Sequence, residues 1–234
     1  MKANQVVVLL GSLVVLGVGA YLFQVSRQRA AVDAQMAQLV SDVEAAAAAR
    51  PLDTTELSRL WKKVEAADAT DPRVALCFGK IELARGRWER AANALEPRIG
   101  IGSDDLPALR AGAEAYMMWA ARGGKDAGDR AVLARRALQL AESAFQLGGT
   151  AEDAFACWQC GVRLPDEAVR KRYLDVLQER FADSLQARTA STLAKTELDQ
   201  PLRPLQDLVR EWNPPPVELS LGLAVLELQN QEIE

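Results

Sequence analysis

The chain has 234 residues, a formal net charge of −4, no histidine and only 6% aromatic residues. Without histidine there is no His-ligated metal, haem or chlorophyll and no nucleophile–histidine pair, so no enzymatic chemistry and no cofactor are expected. Residues 1–29 hold Lys2, Arg27 and Arg29 and no acid, which leaves 25 basic against 32 acidic groups, or −7, on the rest; such an acidic body lacks the basic footprint that nucleic acid requires.

Residues 6–23, VVVLLGSLVVLGVGAYLF, are uncharged and almost wholly apolar. As a helix they reach roughly 27 Å, close to the hydrocarbon thickness of a bilayer. A cleavable signal peptide ending at Ala20 is the competing reading, because Val18-Gly19-Ala20 has the small-residue character of a peptidase site. Residues 1–25 are read as an uncleaved single-pass anchor, surrounded by lipid around 6–23, with Tyr21 and Phe23 at the exit interface. Its short positive leader favours a bacterial inner-membrane protein with the globular part in the periplasm; a cytoplasmic globular part is the alternative. Ser12 and Gly19, seven residues apart, share a helix face, and without a Gly-x-x-x-Gly motif that face is expected to meet another protein's helix.

Residues 26–50 continue as a helical stalk with neither Gly nor Pro, and Arg50-Pro51 stops the helix. Val32, Met36, Leu39 and Val43, spaced 4, 3 and 4, form a seam for one other helix. Asp53-Thr54-Thr55-Glu56 starts a helix carrying Leu57, Leu60, Trp61 and Val64, which closes near Asp71-Pro72.

From Pro72 to Ile99 the chain reads as two short helices folded back on one another, with Gly79 inside the first, Gly86 between them and Trp88, Ala91 and Leu95 along one face of the second. Here the sequence resembles a tetratricopeptide (TPR) repeat. Taking Pro72 as its first position, Gly79 is the family's small residue at eight, Gly86 the glycine at fifteen, Trp88 the aromatic at seventeen, Ala91 the alanine at twenty and Leu95 the large apolar residue at twenty-four. It departs at Ala75, where the family has Trp, and at Glu82, where it has Tyr. Trp88 and Leu95 are expected to be buried against the first helix near Gly79.

A helix from about Asp105 to Arg122 repeats the spacing with Leu109, Gly112, Tyr116 and Trp119. The glycines between Gly123 and Gly128 are read as a connector, because no strand precedes them and the Gly-Lys-Ser/Thr order of a phosphate loop is absent. Ala137, Ala144 and Phe145 mark the return helix, and a third unit carries Cys160-Gly161 and returns through Tyr173, Leu174, Leu177 and Phe181 after Pro165-Asp166. The fold expected is thus all-α: an N-terminal transmembrane helix followed by an α-solenoid of about three TPR-like hairpins, at 53–96, 105–147 and 151–181 within residues 51–184. Residues 185–234 supply C-terminal helices, the last from Val217 read as a capping helix although its alternation resembles a strand.

Cys157-Trp158-Gln159-Cys160 is the one motif with candidate chemistry, since a Cys-x-x-Cys at a helix N-terminus can be redox-active. It lies inside a predicted helix, where i, i+3 cysteines serve as small packing residues. Asp104, Asp105, Glu152 and Asp153 sit where helices begin and are explained by capping, and Arg135-Arg136 and Arg170-Lys171-Arg172 by solvated helix faces.

The TPR resemblance implies a partner surface on the concave face made by the first helix of each repeat, which carries over to Arg73, Leu76 and Lys80, to Leu109, Tyr116 and Met117, and to Trp158. The function expected is a non-enzymatic, membrane-anchored scaffold or accessory subunit, without small-molecule substrate, that holds other subunits of a large bacterial membrane complex together. No residue selects the complex; a photosynthetic reaction-centre and antenna assembly is the instance expected first, with a mechanical role. A membrane-tethered thiol protein using Cys157 and Cys160, and a transient assembly factor of envelope or export machinery, are the alternatives.

Overall fold

Capped amphipathic segments separated by short polar turns make this chain a succession of helices. The computed structural model describes residues 3–100, 102–123, 126–194, 202–212, 215–216, 219–220 and 223, with side chains from Tyr21 onward except 202–204. Among these residues there is no strand, and the fold is all-α. The helices are α1 (Ala3–Ala48), α2 (Thr54–Glu65), α3 (Pro72–Ala84), α4 (Trp88–Leu95), α5 (Leu106–Arg122), α6 (Ala127–Gly148), α7 (Ala151–Arg163), α8 (Glu167–Arg180), α9 (Leu185–Ala194) and α10 (Leu202–Glu211). The chain divides into two units, Met1–Cys77 and Phe78–Glu234.

In the first unit α1 runs unbroken for 46 residues. Among the described residues no helix is long and apolar enough to cross a membrane. Residues 6–20 of the apolar run, with Ser12 and Gly19, have side chains outside the described set. Asp53 starts α2 by accepting hydrogen bonds from the Thr55 and Glu56 amides at 2.9 and 3.0 Å. α1 packs on α2, and the seam buries Met36, Leu39 and Val43 of one helix and Leu57, Leu60 and Val64 of the other. Val32 departs from the expected stripe, because it precedes the stretch that α2 covers and remains 58% exposed.

In the second unit each helix from α4 to α9 packs on its successor, so the hairpins expected at 105–147 and 151–181 are formed by α5 with α6 and by α7 with α8. Three glycines fix how closely these helices meet. A Cβ added at Gly79 would lie 2.5 Å from Leu95 Cγ. At Gly112 it would meet Ile99 Cδ1 at 2.9 Å and Leu140 Cδ1 at 3.3 Å, and at Gly161 it would meet Val169 Cγ1 at 2.9 Å and the Arg170 amide nitrogen at 3.0 Å. Neighbouring side chains, and at Gly161 backbone as well, occupy the volume a methyl group would need, and packing at interior density leaves little slack to move them.

Leu95 is fully buried, as expected, but Trp88 is only half-buried and lies beneath the Arg122 guanidinium, 5.3 Å from the ring centroid. It is the first residue of α4, and side chains lean toward a helix's N-terminus, so its ring overhangs the end of the hairpin. Glu82 is buried and paired with Arg85 at 3.1 Å. At the C-terminal end Leu205, Leu208 and Leu219 form a small core with Leu185, Leu193 and Trp212 against it. Of the last stretch only Leu219, Ser220 and Leu223 are described after Val217, with helical backbone; the rest of that expectation lies outside the described residues.

The glycine contacts predict an asymmetric response to one methyl group. Gly161→Ala should lower stability by about 1–3 kcal/mol, since backbone opposes the new Cβ. Gly100→Ala, which faces open space, should stay within about 0.5 kcal/mol. Urea unfolding followed by far-UV circular dichroism compares the two.

Candidate functional site: a cleft on the first-helix face

The second unit holds a cleft of about 660 Å³ lined by α5 and α7, by Ala141 and Ala144 of α6, and by Trp212, Pro215 and Pro216 beyond the end of α10. α5 contributes Arg110, Ala113, Glu114, Met117 and Met118, which recur every three to four residues and so share one helix face. α7 contributes Glu152, Asp153, Phe155, Ala156, Gln159, Cys160 and Arg163 on the same principle. The volume falls in the range of ordinary binding pockets, and most of the lining surface is apolar, with Met117, Met118, Phe155, Trp212 and two prolines contributing to it.

One end is held by a charge pair built into a helix start. Thr150 caps α7 by accepting from the Asp153 amide, and Asp153 accepts in return from the Thr150 amide, a reciprocal capping box. Arg110 donates from Nε to Asp153 Oδ1 at 2.7 Å and from Nη2 to Oδ2 at 2.8 Å, joining α5 to α7. Burial pushes the Asp153 carboxyl up, but hydrogen bonds from Arg110 and Thr150 outweigh it and hold the group below the usual carboxylate range. The Gln186 amide donates to Glu152 at 3.0 Å, joining α9 to α7, and Arg163 donates to the Met117 carbonyl at 3.1 Å. Phe155 is sandwiched between Trp158 and Trp212, with ring centroids 5.5 and 5.8 Å away, and Trp212 Nε1 donates to Thr189 Oγ1 at 2.9 Å.

The thiol motif divides between two faces of α7: Cys160 lines the cleft, and Cys157 faces Tyr173 of α8. Cys157 and Cys160 are free and buried. Burial pushes the Cys157 thiol far up, beyond what its contact with Tyr173 offsets, and the Tyr173 hydroxyl donates to Glu142 at 3.0 Å. A thiol so shifted holds no appreciable thiolate at neutral pH and is a poor nucleophile. Among the described residues no three His, Cys, Asp or Glu side chains converge as metal ligands.

The residues named from sequence are placed as follows. Met117 lines the cleft. Tyr116 donates its hydroxyl to Glu96 at 3.0 Å and lies tilted against Trp119, ring centroids 5.9 Å apart. Leu109 is 1% exposed and Trp158 3%, which leaves neither with surface for a partner. Arg73 grips Asp71 and reaches Asp33 at 2.9 Å, so it ties the start of α3 to α1. Leu76 is buried and Lys80 half-buried. Sequence reading missed Arg110, Met118, Phe155, Glu152, Trp212 and the proline pair. On α5 the miss at Arg110 is a matter of register: Leu109 lies one residue, or about 100° of helix rotation, from it.

Compared with protein-family models, with curated proteins and with solved structures, the chain matches none of them.

The Arg110–Asp153 pair sets a pH signature. The folded carboxyl titrates below its unfolded value of about 3.9, so its stabilisation is full above that pH and is lost as pH falls through the folded value. Arg110→Ala should cost about 1–3 kcal/mol at pH 7 by stranding a buried carboxylate. Asp153→Asn should flatten the loss of stability below pH 4 relative to the parent, measured by urea unfolding across pH 2.5–7.

Proposed function

We propose that this protein is a non-enzymatic scaffold or accessory subunit, anchored by α1 in a bacterial membrane, that uses a TPR-like array of helical hairpins to hold other subunits of a membrane complex. The observation that carries this reading is the cleft on α5 and α7. Its lining is largely apolar and includes Met117 and Met118, and Arg110, Asp153, Glu152 and Arg163 around it are already bonded within the chain, which suits a partner's side chains better than a reacting substrate. Placement on the first helix of successive hairpins is the placement the TPR resemblance implies. The unbroken α1, which carries residues 6–23 into the docked stalk, supports the anchor. An energy-transducing assembly, with a photosynthetic reaction-centre and antenna complex as the instance, remains the host we propose, and its side of the membrane the periplasmic one.

The thiol alternative is disfavoured by the burial of Cys157 and Cys160. The folded chain should react with a thiol probe such as dithiobisnitrobenzoate at least ten-fold more slowly than the chain in guanidinium, and fast reaction of one thiol in the folded state would restore that alternative. For the scaffold itself, Met118→Glu introduces a charge at a half-buried position of the cleft. The variant should keep its thermal unfolding profile and lose its co-purifying subunits in mild detergent. Retention of all subunits at parental stoichiometry would remove the cleft as their docking surface.

A further inference from the structure

Tyr21, Leu22 and Phe23 are 67, 60 and 61% exposed on a helix that continues without interruption. Three consecutive residues sweep about 200° of a helix's circumference, so a single packed neighbour would leave part of them uncovered, whereas an enveloping apolar medium would cover all three. The chemistry changes within one turn. Arg27 lies over the Phe23 ring at 4.8 Å, Arg29 follows, and no acid precedes Asp33. Aromatic rings followed by cations match the order of layers met on leaving hydrocarbon for phosphate headgroups.

Residues 26–35 are then all exposed, and burial begins only at Met36, with Asp33 making the first bond to another helix through Arg73. This stretch has neither Gly nor Pro and is rich in Ala, Gln and Arg, residues that keep a helix formed without tertiary support. Resting on the anchor proposed above, we propose that α1 leaves a phospholipid surface at Tyr21–Arg27 and that residues 24–35 are a rigid standoff. From Phe23 to Met36 the helix rises about 20 Å, which sets the height at which the α1–α2 seam stands off the bilayer.

The test uses the full chain in vesicles of phosphatidylcholine and phosphatidylglycerol. Buried Cys77, Cys157 and Cys160 leave introduced cysteines as the reactive sites. An environment-sensitive fluorophore on Leu22→Cys should be blue-shifted and quenched by shallow lipid nitroxides, whereas on Gln28→Cys and Gln35→Cys it should report water. Seven helix-forming residues inserted between Ala30 and Ala31 should lengthen the distance from a donor at Gln35→Cys to headgroup acceptors by about 10 Å, read as reduced energy transfer. Failure of the chain to float with the vesicles overturns the anchor and this inference together. Flotation with a lipid-immersed position 28, or with transfer unchanged by the insertion, overturns the standoff alone.

Discussion

Close approach of neighbouring helices at a missing side chain is the constraint on which the second unit rests. Leu95 over Gly79, Ile99 and Leu140 over Gly112, and Val169 over Gly161 each place apolar carbon where any other residue would hold its Cβ. The energy gained is dispersion and burial rather than hydrogen bonding, and it falls steeply with small changes in separation. With those approaches fixed, α5 and α7 sit near enough for Arg110 to reach Asp153, and the cleft between them acquires a defined width.

α7 then serves two environments. Toward the cleft it presents Phe155 and Gln159, and on its other side Cys157 meets Tyr173 of α8 in a water-poor contact. The small, polarisable sulfur suits a tight contact, and the same burial that makes it useful there suppresses its reactivity. The aromatic stack from Trp158 through Phe155 to Trp212 connects the helix core to the segment after α10, so packing and cleft wall are one structure.

Much of the helix plan was legible because its markers are local. Gly86, the Asp53 and Asp105 caps and the Gly149-Thr150 boundary act within a turn of their own positions, and the hairpins followed. Of the face of α5 that lines the cleft only Met117 was named from sequence, because periodicity gives an amphipathic stripe but not which neighbour covers each part of it. Leu109 matched the repeat spacing and proved to be core; Arg110, beside it, gains its role only from Asp153, 43 residues away in sequence. Trp88 failed for a geometric reason, its place at the first position of α4, and Val32 because α2 is too short to cover the whole stripe. Trp212 and Pro215 gave no signal at all, since a contact made by a chain doubling back from the far end has no period.

That doubling back has a thermodynamic consequence. Trp212, Pro215 and Pro216 form a wall of the cleft, while Trp212 is also what ties the end of α10 to Phe155 and Thr189. Anything that fills the cleft against this wall binds only the state in which the wall is in place. By mass action it must therefore hold the terminal helices down, by an amount that grows with the logarithm of its concentration above its dissociation constant. Occupancy of α5 and α7 and order at the distant end of the chain are two readings of a single equilibrium.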